Sequence, residues 1–253
     1  MIRAVLVDLG DTLVHLSRAW NDVFQDNLNS LHAFLKSEGM NSDFDEFAKS
    51  FVHEYEGASA ISHLYKVEVP MQDIVARVLR KNKLKDAEGN LVQGAIEEFY
   101  KPEIEAWQTY PDTVQTLTAL HELGFRMGLI SNAKSDWAVR AILDKCDISR
   151  FFETIVTSAA VLKRKPRFDI FMQALTALGV KSSETIFIGD SLQADVLGAK
   201  TARMRSIHVC REPVTDSCCV VPDVTVSSLT QALEQVINWN NALRERTTPK
   251  LSV

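Results

Sequence analysis

Carboxylates and a hydroxyl recur just past the apolar runs of this 253-residue chain. Asp8 follows the run at 2–7 and opens Asp8-Leu9-Gly10-Asp11-Thr12. Ser131-Asn132 follows the run at 126–130, and Gly189-Asp190-Ser191, with Asp195 beyond it, follows the run at 185–188. A fourth element, Lys163-Arg164-Lys165-Pro166, precedes a helical pattern near Phe168. Carboxylates brought to one point repel unless a cation neutralises them, and hard oxygen ligands with water left over suit Mg²⁺. A carboxylate can also attack phosphorus or carbon and form a covalent intermediate. A lysine and a hydroxyl beside it balance charge on the group in transfer. Phosphoryl transfer mostly needs in-line positioning and charge stabilisation, and this set offers both.

Such residues work only if the fold delivers them to one place. The runs at 2–7, 126–130, 154–157 and 185–188, with a fifth candidate at 206–210, are continuous rather than alternating. Strands covered on both faces read that way. Helical patterns lie between them. Val114, Leu117, Leu120 and Leu123 share one face over 113–123, and Ile170, Phe171, Ala174, Leu175 and Leu178 share another over 170–178. Gly124 and Gly179 follow as helix C-caps. The alternation predicts a Rossmann-like α/β core with a doubly wound parallel sheet, whose ligands sit beyond the carboxyl ends of the strands.

Residues 16–104 break that alternation. Trp20, Val23, Phe24, Leu28, Leu31, Phe34 and Leu35 fall at helical spacing, as do Phe44, Phe47, Phe51 and Tyr55. Ile74, Val75, Val78 and Leu79 follow, then Leu91, Ala95, Ile96 and Phe99. Turn signals at 41–43 and 86–90 separate the helices. The pattern predicts an all-helical cap over 16–104, inserted into a core made of 1–15 and 105–253.

Composition narrows the class. Apolar residues make up 46%, charged residues 24%, and the formal net charge is -5, so a basic face for nucleic acid is not expected. The apolar runs are strand-sized, and Asp8 interrupts the first, so neither a membrane span nor a signal peptide is expected. Cys146, Cys210, Cys218 and Cys219 lack metal-ligand spacing and read as reduced thiols of a cytoplasmic protein. The six histidines share no spacing. The tail from residue 244 is polar and contains Pro249.

The four elements, in this order, resemble the haloacid dehalogenase-like hydrolases. The first motif of that superfamily is Asp-x-Asp-x-Thr, and Asp8, Gly10 and Thr12 occupy its places. The second is a Ser or Thr after a strand, matched by Ser131; the third is a lysine often followed by proline, matched by Lys165. The fourth is Gly-Asp followed by a second Asp, matched by Gly189-Asp190 and Asp195. The similarity covers about residues 1–15 and 105–230, and the insert sits where one branch carries a helical cap.

The resemblance implies a phosphatase acting on a small phosphorylated metabolite through an aspartyl-phosphate on Asp8. Asp8, the Gly10 carbonyl, Asp190 and Asp195 would hold Mg²⁺, with Asp195 acting directly or through water. Ser131 and the backbone near Asn132 would hold phosphate oxygens, Lys165 would neutralise nucleophile and phosphate, and Thr12 would orient the loop. His15, Arg18 and Trp20, just past the first loop, are further candidates for substrate contact.

One position departs from the pattern. Family phosphatases place an acid/base aspartate two residues after the nucleophile, where this chain has Gly10. General acid–base catalysis contributes about 10²–10⁴-fold, so the loss matters. Asp11 stands next door and can substitute if the loop turns differently. Alternatively, a substrate with a good leaving group, such as an acyl phosphate, needs little protonation, or a cap residue or the substrate itself supplies the proton. Two other functions stay open. One is a carbon–halogen or carbon–phosphorus hydrolase; the carbon–phosphorus branch uses a cap lysine as a Schiff base, and Lys36 and Lys49 lie in the cap. The other is a weak or inactive relative that binds a phosphorylated ligand. Taken without the family, Lys165 sits in a basic cluster that a solvated face would also explain, although Pro166 and the following helix favour a fixed position, and Asp195 reads equally as a helix-capping carboxylate.

Overall fold

The computed structural model describes residues 1–84, 90–211 and 220–247. The chain begins with β1 (Ala4–Val7) and β2 (Val14–Leu16), then runs through α1 (Trp20–Ser37), α2 (Phe44–Tyr65), α3 (Met71–Lys81) and α4 (Asn90–Ala106). It returns through β3 (Trp107–Thr109), α5 (Thr113–Glu122), β4 (Arg126–Ser131), α6 (Asp136–Lys145) and β5 (Thr154–Thr157). It ends with α7 (Ser158–Val161), α8 (Phe168–Leu178), β6 (Thr185–Gly189), α9 (Leu197–Thr201), β7 (Arg205–Val209), β8 (Val224–Val226) and α10 (Leu229–Thr247).

Six strands form one parallel sheet in the order β5-β4-β1-β6-β7-β8. The doubly wound α/β core expected from the alternation is present. Side chains alternate across a strand, and β1 shows why its run is continuous. Val5 and Val7 belong to one buried cluster, while Ala4 and Leu6 belong to the other, with Phe171 and Phe187. β1 lies between β4 and β6, where the strand order reverses. The crevice of an open α/β sheet opens at such a point. It therefore receives the residues that follow β1, β4 and β6.

The helix over 170–178 buries the expected face in full. The α5 face is rotated from expectation. Val114 and Leu123 are 39% and 53% exposed, whereas Thr113, Thr116, Leu117 and Leu120 are buried. The Thr113 hydroxyl donates to the Leu13 carbonyl at 2.6 Å, which turns this edge of the helix toward the first loop. Gly124 and Gly179 follow their helices at φ 79° and 58°, a region in which a Cβ is strained. The short strands β2, β3 and β8 were not expected, because three residues carry no readable period.

Between β2 and β3 the four helices α1–α4 pack on one another. Antiparallel pairing of Val14 with Thr109 brings their entry and exit side by side. Asp43 caps α2 by accepting from the Glu46 N–H at 2.9 Å. Phe51 and Phe99 meet at 5.2 Å, with Phe24 and Tyr55 against them. Most of the turn expected at 86–90, together with Cys218, Cys219 and Pro249, lies outside the described residues. No described helix is long and apolar enough to cross a membrane.

Candidate active site

The loop after β1 is tightly tied. Asp8 donates its N–H to the Ile188 carbonyl at 2.9 Å, anchoring the end of β1 to β6. The Leu13 and Val14 N–H groups return to the Leu9 carbonyl at 2.9 and 3.1 Å. Thr12 is fully buried, its hydroxyl 3.3 Å from both Asp8 Oδ2 and Asp190 Oδ1. Arg211, which the sequence did not flag, donates to the Thr12 carbonyl and to Asp112, each at 3.2 Å, and stacks 3.6 Å above the Tyr110 ring. Asp11 adopts φ 55°, so the loop turns at this residue, which lines the same cavity as Asp8.

Lys165 is only 3% exposed, which removes the solvated-face reading. Its ammonium donates to Asp8 Oδ1 and, at 2.8 Å, to the Ile130 carbonyl. It also pairs with Asp195 Oδ1 at 2.7 Å. Burial opposes its charge, but Asp195 and Asp8 outweigh that and hold its pKa above the usual lysine value. The Asn132 side chain clamps the Lys165 backbone, accepting from its N–H at 2.8 Å and donating to its carbonyl at 3.1 Å. The side chain of Asn132 therefore positions the lysine, while Ser131 lines the cavity beside Asp8.

The loop after β6 starts with a π-helical turn, Leu192–Val196. Such turns are uncommon and collect at functional sites. A Cβ at Gly189 would run into the Asp195 carboxylate. Glycine is needed there to leave room for that side chain. Asp195 Oδ2 accepts from the Ser191 N–H at 3.0 Å, so Asp195 fastens the turn and pairs with Lys165 together. His208, another residue the sequence reading passed over, donates from Nε2 to the Asp190 carbonyl at 2.8 Å.

Asp8, Asp190 and Asp195 carry oxygens within 4.8 Å of one another. Burial first, then the charges of Asp8, Asp195 and Asp11, raise the Asp190 carboxyl far above its usual range. Burial likewise raises Asp195 despite the opposing pull of Lys165. Asp11 is raised by burial and then by Asp8. One lysine does not balance this set: the Lys165 ammonium is shared between Asp8 Oδ1 and Asp195 Oδ1. Hard, under-neutralised oxygens fit a divalent cation such as Mg²⁺.

These groups open into a cavity of about 420 Å³. Its other side is formed by residues the motifs did not reveal: Tyr55, Ser59, His63, Tyr100 and Glu103 from α2 and α4, with Trp20 and Trp107. His15 faces Tyr110 at 4.7 Å and Arg18 pairs with Asp26 at 2.9 Å; neither lines this cavity. Lys36 and Lys49 are exposed and lie off it as well, which removes the observation behind a cap-lysine Schiff base. Glu103 accepts from Asn27 at 3.1 Å and Trp107 at 3.4 Å, yet burial pushes its carboxyl up to about 7.

A carboxylate-bearing strand end locked to a buried lysine thus shares one cavity with a hydroxyl and a second pair of carboxylates. The family model of the haloacid dehalogenase-like hydrolases matches residues 2–203, and the chain belongs to that family. The glyceraldehyde 3-phosphate phosphatase of Methanopyrus kandleri is 29% identical over 249 residues, 93% of this chain and 97% of that one. The phosphoglycolate phosphatase of Pseudomonas fluorescens is 29% identical over 133 residues, 53% of this chain and 48% of that one. Among solved structures, a 2-haloacid dehalogenase from Pseudomonas syringae superposes with a TM-score of 0.70 at 21% identity, covering 94% of this chain and 100% of that chain. A HAD phosphatase from Thermococcus onnurineus gives 0.65 at 22%, covering 93% and 98%. At those identities the structures establish a shared fold.

Proposed function

We propose that the protein is a Mg²⁺-dependent phosphatase of small phosphorylated metabolites, with Asp8 as nucleophile. The observation that carries this reading is the Asp8 carboxylate itself. One oxygen is held by Lys165 and the other faces Thr12, at the mouth of a cavity shared with Ser131 and Asp190. Relatives named as phosphatases over nearly the whole chain support it.

Asp8 attacks phosphorus, and the bond from phosphorus to the leaving oxygen breaks. Lys165 and the Ser131 hydroxyl stabilise the phosphoryl oxygens as charge develops. Asp11, which lines the cavity beside Asp8, gives its proton to the leaving alkoxide. A water then attacks the aspartyl-phosphate, returns a proton to Asp11 and releases inorganic phosphate. Asp8, Asp190 and the Gly10 carbonyl would hold Mg²⁺, which neutralises the carboxylates and polarises the phosphoryl group. Asp195, already engaged by Ser191 and Lys165, backs that shell rather than filling it. Helices α1–α4 act as a cap whose closure over the core excludes water.

The test is phosphate release from phosphate monoesters and acyl phosphates, with Mg²⁺ and with chelator. Metal-dependent turnover that vanishes in Asp8→Asn, by about 10³-fold or more, is the expected result. No turnover of any ester, with Mg²⁺ still bound, would leave a ligand-binding role.

A further inference from the structure

A second set of charges lies in the same cavity, one step along each motif loop. Lys134 is three residues past Ser131, and Arg164 directly precedes Lys165. Both line the cavity. Between them sits Glu68, from the segment joining α2 to α3, with a side chain that is fully buried. Glu68 is satisfied without Lys134. Arg164 pairs with its Oε2, the Ser158 hydroxyl donates to that oxygen at 2.6 Å, and the Ser62 hydroxyl donates to Oε1 at 3.3 Å.

Lys134 is the group left over. Its side chain is 9% exposed, and its ammonium has no hydrogen-bond partner. Glu68 Oε1 is 3.6 Å away, beyond hydrogen-bond reach, and the Tyr55 ring centroid is 5.2 Å away. Burial lowers its pKa, opposed by Glu68 and assisted by Arg164. His63, packed near Arg164, Lys66 and Lys134, is also pushed below its usual value, by burial first. A buried ammonium with three unused donors is costly unless a ligand meets it.

We infer that Lys134, held beside Arg164 and Glu68, binds a carboxylate at the far end of the substrate, so that the substrate class is short phosphorylated carboxylic acids. This rests on the phosphatase reading above and adds to it. The charge count favours a carboxylate over a second phosphate. Arg164 and Glu68 cancel, so one cation remains, and a monoanion matches it. The reach is also right. Three residues place the Cα atoms of Ser131 and Lys134 within about 11 Å, and a phosphate at Asp8 with a carboxylate a few bonds away spans that gap once the lysine reaches back.

The test compares matched esters. Phosphoglycolate is set against 2-hydroxyethyl phosphate, and 3-phosphoglycerate against glyceraldehyde 3-phosphate. The wild-type protein is expected to prefer the acid of each pair by about 10- to 100-fold in kcat/KM, mainly through KM. In Lys134→Met the ratio collapses toward 1, while Lys134→Arg keeps part of it. Near-ultraviolet circular dichroism checks folding, and Lys134→Gln replaces the Met variant should that fail to fold. A wild-type protein indifferent to the carboxylate, or a preference that survives loss of the lysine charge, overturns the inference. If no ester turns over, the phosphatase reading has failed, and the site is read by calorimetric binding of the two acids to Asp8→Asn. Loss of that binding on adding Lys134→Met supports the station, and equal binding overturns it.

Discussion

The two sides of the cavity are built on different terms. On the sheet side, Asp8, Ser131, Lys165, Asp190 and Asp195 stand at strand ends or in short loops, and Asp8, Lys165, Asp190 and Asp195 are each engaged by another motif residue. On the helical side, Trp20, Tyr55, Ser59, His63, Tyr100 and Glu103 are spaced by packing and share no motif. A reaction common to a family constrains the first set tightly. The second has to fit one molecule, and many side-chain sets can do that. On the proposed mechanism the chemistry is concentrated on the sheet, and the choice of substrate on the helices and the seam between them.

The sharpest way to break that contrast is to remove a charge from the sheet side. Lys165→Met leaves Asp8 and Asp195 facing each other without their shared cation. Turnover is expected to fall by about 10³-fold or more, and stability by about 3–5 kcal/mol, the usual result of orphaning a buried pair. Phosphate release and urea denaturation measure the two. A loss no larger than that of a surface lysine would place the chemistry elsewhere.

Gly10→Asp tests whether the missing acid is supplied by Asp11. Gly10 does not use a left-handed φ, and an added Cβ would meet only Trp107 Cη2, at 3.5 Å. The substituted carboxyl is expected to raise turnover of alkyl phosphates, with their poor leaving groups, by up to about 10²-fold. Acyl phosphates should gain little. If Asp11 already does the work, Asp11→Asn slows the alkyl esters selectively, and adding Gly10→Asp restores them.

The smallest effect belongs to the helical side and depends on pH. Burial pushes the Glu103 carboxyl up to about 7 in the folded protein, against 4.5 for an ordinary glutamate. The folded state therefore binds this proton more tightly than the unfolded one. Stability falls as pH rises from about 4.5 to 7, and the penalty is complete above that window. Glu103→Gln, which keeps an acceptor for Asn27 or Trp107, is expected to match the wild type near pH 4 and to be the more stable near pH 8. The difference should be at most about 3 kcal/mol. Melting temperatures at the two pH values check it, and a pH-independent difference would refute it.

The helical side was legible as helices and little further. Periodicity placed Phe47, Phe51, Ile74, Val78 and Phe99 in the core, where they are buried. It could not say which polar residues of the same helices turn toward the sheet, since Ser59, His63 and Glu103 look like solvated positions until a second layer covers them. Lys134 and Arg164 were hidden for a related reason. Each neighbours a motif residue, and each acquires its meaning from Glu68, 66 and 96 residues away in the chain. His208 and Arg211 hold the Asp190 and Thr12 carbonyls through backbone contacts that no residue pattern announces.

What the sequence determined by itself is local in origin. Continuous apolar runs made two-sided strands, helical spacing made the covering helices, and a carboxylate or hydroxyl just past a strand lay on the sheet's carboxyl rim because strand direction puts it there. Tertiary structure decided the rest. Strand order set β1 between β4 and β6 and brought Asp8, Lys165 and Asp190 together. Burial, which exists only once the layers close, drove the Asp190 and Glu103 carboxyls upward and left the Lys134 ammonium without a donor's partner. Charge in a dry place is a property of the assembled surroundings, so it could be read only after the chain had folded around it.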